Sequence, residues 1–167
     1  MELLDIYDDE GNKTGRVIER GNKEEVLTEH EHIAVAVIFI ENSNHEFLIQ
    51  KTSKEKGGEF SSTGGHITHN ETPMSTIIRE VEEELGITLT KEEIKDLGFI
   101  KYDMPLRYLF YVKKDINLES IKIRQEEVDY VEYKRVDEIE KLINTNQMLK
   151  SHGILFHELL NKLNIHK

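Results

Sequence analysis

Glu80, Glu83 and Glu84 fall at i, i+3 and i+4 within "REVEEELG". In a helix that spacing places side chains on neighbouring turns of one side. Like charges so placed cost a helix about 0.2–0.5 kcal/mol per pair. Carboxylates held on one rigid element are also what a hard divalent cation such as Mg²⁺ takes as ligands, and a bound cation would relieve the repulsion. A solvated acidic face is the plainer reading of the same residues, because Glu is a good helix former. Ile77, Ile78, Val81 and Leu85 recur at helical spacing and predict a separate apolar face that packs. The three carboxylates are then expected to point together into a common space on the other side.

The elements that must position them are legible in the pattern. Thr72 is a candidate N-cap, Pro73 suits a first turn and Gly86 is a natural stop, which predicts a helix over 73–86. Upstream, "LLDIYDDEGNKTGRVIERG" predicts a hairpin, and "NKEEVLTEHEH" a polar loop or short helix. "IAVAVIFI" and "EFLIQKTS" predict two strands around Asn42, Ser43 and Asn44, and "KEKGGEF" a flexible, exposed connection. "RYLFYVKK" and "VDYVEYKRV" predict two more strands, followed by a short helix at "DEIEKLI" and an amphipathic closing helix at "GILFHELLNKLNI". No repeat or domain boundary interrupts this order. It predicts one α+β domain over 1–167, with a mixed sheet between helices.

Composition narrows the function. The chain has 167 residues and a formal charge of −11, which argues against a nucleic-acid polymer or an anionic membrane as main partner. A phosphorylated small molecule remains open if local cations or a metal neutralise the site. With no cysteine there is no thiol nucleophile, zinc thiolate or disulfide. The acidic first residues and the lack of a long apolar run point to a cytoplasmic protein. The oligomeric state is left open, a dimer included.

The residues around the carboxylates sharpen the reading. Gly65, Glu71, Arg79, Glu80, Glu83, Glu84 and Gly86 stand in the pattern G-x5-E-x7-R-E-x2-E-E-x-G, with aliphatic Val81 and Ile87. Seven fixed residues at roughly 7% frequency each match a given start with probability on the order of 10⁻⁸. The stretch resembles a Nudix box, complete at every specified position. The resemblance implies a Nudix fold, with the box as loop, helix and loop. It also implies hydrolysis of a diphosphate linkage in a nucleoside diphosphate joined to another group, or a related small molecule, with Mg²⁺ or Mn²⁺.

Carried over by position, Glu80, Glu83 and Glu84 are implied metal ligands, and a main-chain carbonyl at Gly64 or Gly65 would complete the site. Glycine there would also let backbone approach the phosphates, beside a glycine turn. Arg79 is implied as an orienting residue, paired to Glu71 or Glu83. The general base varies in this family: Glu80 and Glu83 are candidates in the box, and Glu126 and Glu127 lie just before a predicted strand. Glu127 is favoured, as base or extra ligand.

The flanking sequence is similar to bacterial Nudix proteins close to isopentenyl diphosphate isomerase. Gly64 stands where that isomerase has its cysteine, and the box is intact, so hydrolysis is favoured over isomerisation. A non-catalytic Nudix-fold sensor is the other alternative. His66 matches a metal-binding histidine of the isomerase, but packing at the glycines is the favoured role. His30 and His32 are weaker candidates, and His69 is expected to be exposed. Tyr102, Tyr108, Phe110 and Tyr111 could stack on a ring, although their alternation makes at least half of them core residues. Asn70, in place of a glycine, can take a left-handed turn.

Overall fold

The computed structural model describes residues 2–22 and 26–164. The expected hairpin is present: β1 (Leu3–Tyr7) and β2 (Lys13–Glu19) form a separate antiparallel ribbon. Asp8 closes its turn, with Oδ1 accepting from the Glu10 and Asn12 N–H groups at 2.9 Å each.

The main sheet has seven strands. Its central strand, β3 (Ala34–Glu41), runs parallel to β8 (Leu106–Lys113), and the other pairings are antiparallel. On its other edge β3 is shared. It meets β4 (Phe47–Thr52) only at Glu41 opposite Phe47, and β6 (Thr63–His66) along Val35 to Ile38. β5 (Phe60–Ser61) and β9 (Val128–Lys134) flank β4, and β7 (Lys95–Lys101) lies outside β8. The sheet therefore splits beside β3, and β6 carries the glycine pair into the split.

The continuous apolar run of β3 reflects burial on both faces. Ala36, Ile38 and Ile40 face α1 (Pro73–Leu85) with its buried Ile77, Val81 and Leu85. Val37 and Phe39 face α2 (Val136–Asn144) and α3 (Lys150–Leu163). There Phe39, Phe47 and Phe156 pack with ring centroids 5.3–6.4 Å apart. The α+β architecture, with a mixed sheet between helices, is as the sequence predicts.

Both ends of α1 are capped as expected. The Thr72 hydroxyl accepts from Ser75 N–H at 3.0 Å, Ser75 Oγ accepts from Thr72 N–H at 2.9 Å, and Gly86 ends the helix at φ 69°. Four details differ from the sequence reading. Strand β7 was not anticipated, because a bulge between Asp96 and Phe99, with Gly98 at φ 81°, interrupts its alternation. The connection over 54–60 holds a 3-10 turn at Lys54–Lys56 and enters β5. Gly64 and Gly65 lie on a strand rather than in a turn. The closing helix begins at Lys150, before Gly153. In the polar stretch 22–32, residues 26–32 form no helix, and residues 23–25 lie outside the described residues. Among the described residues no helix is long and apolar enough to cross a membrane.

The packing of α1 on the sheet makes a direct prediction. Ile77 is fully buried at that interface, so Ile77→Ala should cost about 2–5 kcal/mol in urea denaturation. Glu82→Ala, on the exposed side of the same helix, should change stability by less than about 0.5 kcal/mol.

Candidate active site

The carboxylates of α1 do not share one open face. Glu80 and Glu83 line a polar cleft with Gly64, Gly65, His66 and Arg79. Glu84 is buried, only 5% exposed. The reason is helical geometry: seven residues is nearly two turns, so Glu84 lies within about 20° of Ile77 and falls on the packed stripe. The expectation of three carboxylates on the far side of the helix is corrected here. Glu80 and Glu83 face the cleft, and Glu84 stands behind them against the sheet.

The glycines make room for this arrangement. A Cβ on Gly65 would lie 2.4 Å from the Glu80 carboxyl carbon, and one on Gly64 would lie 2.4 Å from the Ala36 carbonyl oxygen. Neither glycine is called for by a left-handed turn, since neither has a positive φ. They are called for by close approach: strand to strand at Gly64, carboxylate to backbone at Gly65.

Arg79 organises the acidic residues. Its Nε and Nη2 donate to the two oxygens of Glu71 at 2.7 and 2.9 Å, and Nη1 donates to Glu80 at 2.9 Å and Glu83 at 3.1 Å. The Arg79 bonds, aided by the Thr68 hydroxyl and N–H, hold the Glu71 carboxyl down at about 2. Thr68 and Thr76 hydroxyls, at 2.5 and 3.1 Å, complete the shell of Glu71. Asn70 takes the left-handed turn expected of it, at φ 71°.

Glu84 has less help, from a Gln50 hydrogen bond and the more distant charge of Arg124. Its Oε2 is buried without a hydrogen-bond partner. Burial, together with the charges of Glu80 and Glu127, pushes its pKa up to about 8. Burial also raises Glu80, against the pull of Arg79. An unpartnered buried carboxylate oxygen beside two further carboxylates suits a hard cation in charge and donor type. Among the described residues, no three ligand groups converge tightly enough to hold an ion as they stand. Glu80 and Glu83 are turned to Arg79 instead, and Arg124 approaches Glu83 at 3.9 Å.

The segment before β9 forms the opposite wall. Lys122 N–H donates to Leu85 O at 2.8 Å and Arg124 N–H to Glu84 O at 3.2 Å. The segment thus docks on carbonyls that the helix end leaves free. A turn follows, in which Glu127 and Val128 N–H groups donate to Arg124 O. Glu127 faces the cleft, with Oε1 3.8 Å from Arg124, whereas Glu126 lines a different groove with Ser53, Lys54 and Asp129. The two neighbours point apart, from a turn before the strand.

The hairpin clamps the loop leading into α1. Burial opposes ionisation of Asp5, but His69, Lys13 and the Asn70 N–H outweigh it and leave its pKa lowered. His69 is thereby tied to Asp5 at 2.8 Å, with its side chain 40% exposed. His66 lines the cleft, and burial lowers its pKa. His30 and His32 lie outside the cleft and both pair with Asp9 at 2.6 Å. Phe110 is core, Tyr108 packs on Phe99, Tyr111 bonds Glu41 and Tyr102 sits under Arg107. None of these aromatic residues lines the cleft. The sequence reading missed three residues that do: Glu2, Arg20 and Arg124. For Arg124 the signal was its position three residues before Glu127. For Glu2 and Arg20 there was none, because the folding back of the hairpin brings them in.

Comparison with known proteins shows the family and the fold. The NUDIX domain profile matches residues 30–157. The chain is 27% identical over 153 residues to an uncharacterized Nudix hydrolase of Listeria monocytogenes, across 89% of each chain. It is 35% identical over 79 residues to an 8-oxo-dGTP diphosphatase of Proteus vulgaris, covering 47% of this chain and 68% of that one. Its fold matches DR0079 of Deinococcus radiodurans with a TM-score of 0.75 at 16% identity, over 93% of this chain and 98% of the other. The chain belongs to the NUDIX domain family, and its relatives place it among the Nudix hydrolases. Enzymes of this family generally use divalent metal ions.

The raised pKa of Glu84 predicts how metal-free stability follows pH. Between the ordinary value of 4.5 and about 8, the folded state keeps a proton that the unfolded chain has lost, so stability falls as pH rises. Burial lowers His66 and His152, which pull stability the other way below pH 6.5, so thermal melts in EDTA should show Tm dropping between 6.5 and about 8, and Glu84→Gln should flatten that part of the profile. An unchanged slope in Glu84→Gln would contradict the assignment.

Proposed function

We propose that the protein hydrolyses a diphosphate linkage in a nucleoside diphosphate joined to a second group, or in a related small diphosphate, using Mg²⁺ or alternatively Mn²⁺. The observation that carries this reading is the unpartnered Oε2 of buried Glu84 inside a complete Nudix box. Glu80, Glu83, Glu84 and Glu127, with backbone at Gly64 or Gly65, would hold the cation. A bound divalent cation supplies positive charge against the diphosphate and acidifies water next to it.

The chain's own residues do the rest. Glu127 accepts the proton of the attacking water, which comes in line at phosphorus. Glu83 and Glu80 are the next candidates for that role. Arg79 acts as a positioning residue: anchored on Glu71, it sets where the Glu80 and Glu83 carboxylates stand. Arg124, beside Glu83 and Glu127, balances negative charge as the substrate enters. Isomerisation of the isopentenyl diphosphate type is disfavoured, since Gly64 stands at the cysteine position, the chain has no cysteine and the box is intact. The named activity of the Proteus diphosphatase supports a phosphoric-anhydride substrate.

The test is phosphate or nucleotide release with Mg²⁺ and Mn²⁺ from nucleoside triphosphates, nucleotide sugars, dinucleoside polyphosphates, ADP-ribose, coenzyme A and aliphatic diphosphates. Glu83→Gln and Glu84→Gln should each remove most activity while the fold persists. Near-wild-type turnover in both would overturn the metal assignment. Glu127→Gln should lower kcat by about 10²–10⁴, with Glu126→Gln within about twofold. A large loss for Glu126 and none for Glu127 would reverse that choice.

A further inference from the structure

The hairpin precedes residues 30–157, which match the family, yet it forms a wall of the site. Glu2 and Arg20 line the acidic cleft. At Arg20 and His66 the cleft adjoins a second groove, between the hairpin, the entry to β3 and the turn before β8. Its apolar walls are Leu4, Ile18, Leu27, Ile33 and Met104. No phenylalanine or tyrosine is among its lining residues. Among the described residues five large apolar side chains are exposed, and two of them, Val26 at 81% and Met104 at 43%, line this groove.

We propose that this groove receives the organic group of the substrate, and that the group is aliphatic: the substrate is the diphosphate ester of an aliphatic alcohol. The inference rests on the hydrolase reading above and narrows it.

The argument is one of continuity and chemistry. A linear molecule with one charged and one apolar end fits an acidic, cation-binding cleft that adjoins an aliphatic groove. Arg20 stands at the junction. Its partner is Glu2, at 3.1 Å, in a pair with both side chains more than 40% exposed, and such pairs are weak. A phosphate offers the guanidinium a better, forked partner. Beyond the junction, an aliphatic tail replaces water on Val26, Leu27, Ile33 and Met104, above buried Leu4 and Ile18. Met104, unbranched and polarisable, adapts to its shape. A nucleobase would gain less here, because it draws binding energy from stacking on aromatic side chains, and His66 at the junction is the one aromatic ring among the lining residues. In the reaction, water adds to the terminal phosphorus and the P–O–P bond breaks. The alkyl monophosphate and inorganic phosphate leave, and one proton passes to solvent.

The test compares geranyl diphosphate and octyl diphosphate with ADP, CDP and ADP-ribose under Mg²⁺, in wild type, Met104→Glu and Arg20→Gln. Wild type is expected to favour the aliphatic diphosphates at least tenfold in kcat/KM. Met104→Glu, which sets a charge on the groove wall, should raise KM for them at least tenfold with kcat little changed. Arg20→Gln should raise KM for every substrate. Melting temperatures check that both variants fold. Preference for the nucleoside substrates, or an unchanged KM for the aliphatic ones in Met104→Glu, would overturn the groove assignment and leave the hydrolase reading standing. Turnover of neither aliphatic diphosphate would overturn the groove assignment, and turnover of nothing in the wider panel above would overturn both.

Discussion

The structure depends on one unfavourable arrangement: a carboxylate on the packed side of α1. Glu84 follows Ile77 by nearly two turns and is drawn into the interface with the sheet, where its Oε2 finds no partner. Leaving such an oxygen unmet costs about 1–3 kcal/mol. The metal-free protein lessens the cost by keeping the proton, which is the meaning of a pKa raised to about 8. The surroundings follow from the same constraint. Glu80 presses against a residue with no side chain, Gly65, so helix and strand approach closely enough to form the cleft. Arg79 binds Glu80 and Glu83 and is itself fixed by Glu71.

The parts that hold this site are distributed along the whole chain. The split in the sheet beside β3 admits β6 with its two glycines. The free carbonyls at the end of α1 capture residues 122–124, and that docking sets Arg124 and Glu127 across from the helix. The hairpin grips the entrance loop through Asp5 and adds Glu2 and Arg20 to the rim. A site built from so many separate segments exists only in the folded chain, so any cation bound there would be linked thermodynamically to folding.

Much of this was legible in the residues because it is local. Thr72, Pro73 and Gly86 mark the helix through backbone chemistry that acts within a few positions, and the box spacing singles out Glu71, Arg79, Glu80, Glu83 and Glu84. Alternation and apolar runs gave the hairpin, β3, β4, β8 and β9. What the sequence hid needed partners from elsewhere. β7 is a strand by pairing with β8, despite a bulge that breaks its pattern. The strand character of Gly64 and Gly65 comes from β3, since glycine alone signals a turn. Glu84 looked like its neighbours until the helix phase was compared with Ile77. Arg20 carries no local signal and enters the site only through tertiary folding.

The central claim is that Glu84 gives up its proton to a divalent cation. The most direct measurement is calorimetric titration of the protein with Mn²⁺ at pH 7 in buffers of different ionisation enthalpy, which counts the protons released on binding. The account predicts close to one proton per ion, declining as the pH is raised well above 8, and a large loss of both affinity and proton release in Glu84→Gln. Binding of equal strength in wild type and Glu84→Gln, with no proton released in either, would contradict it.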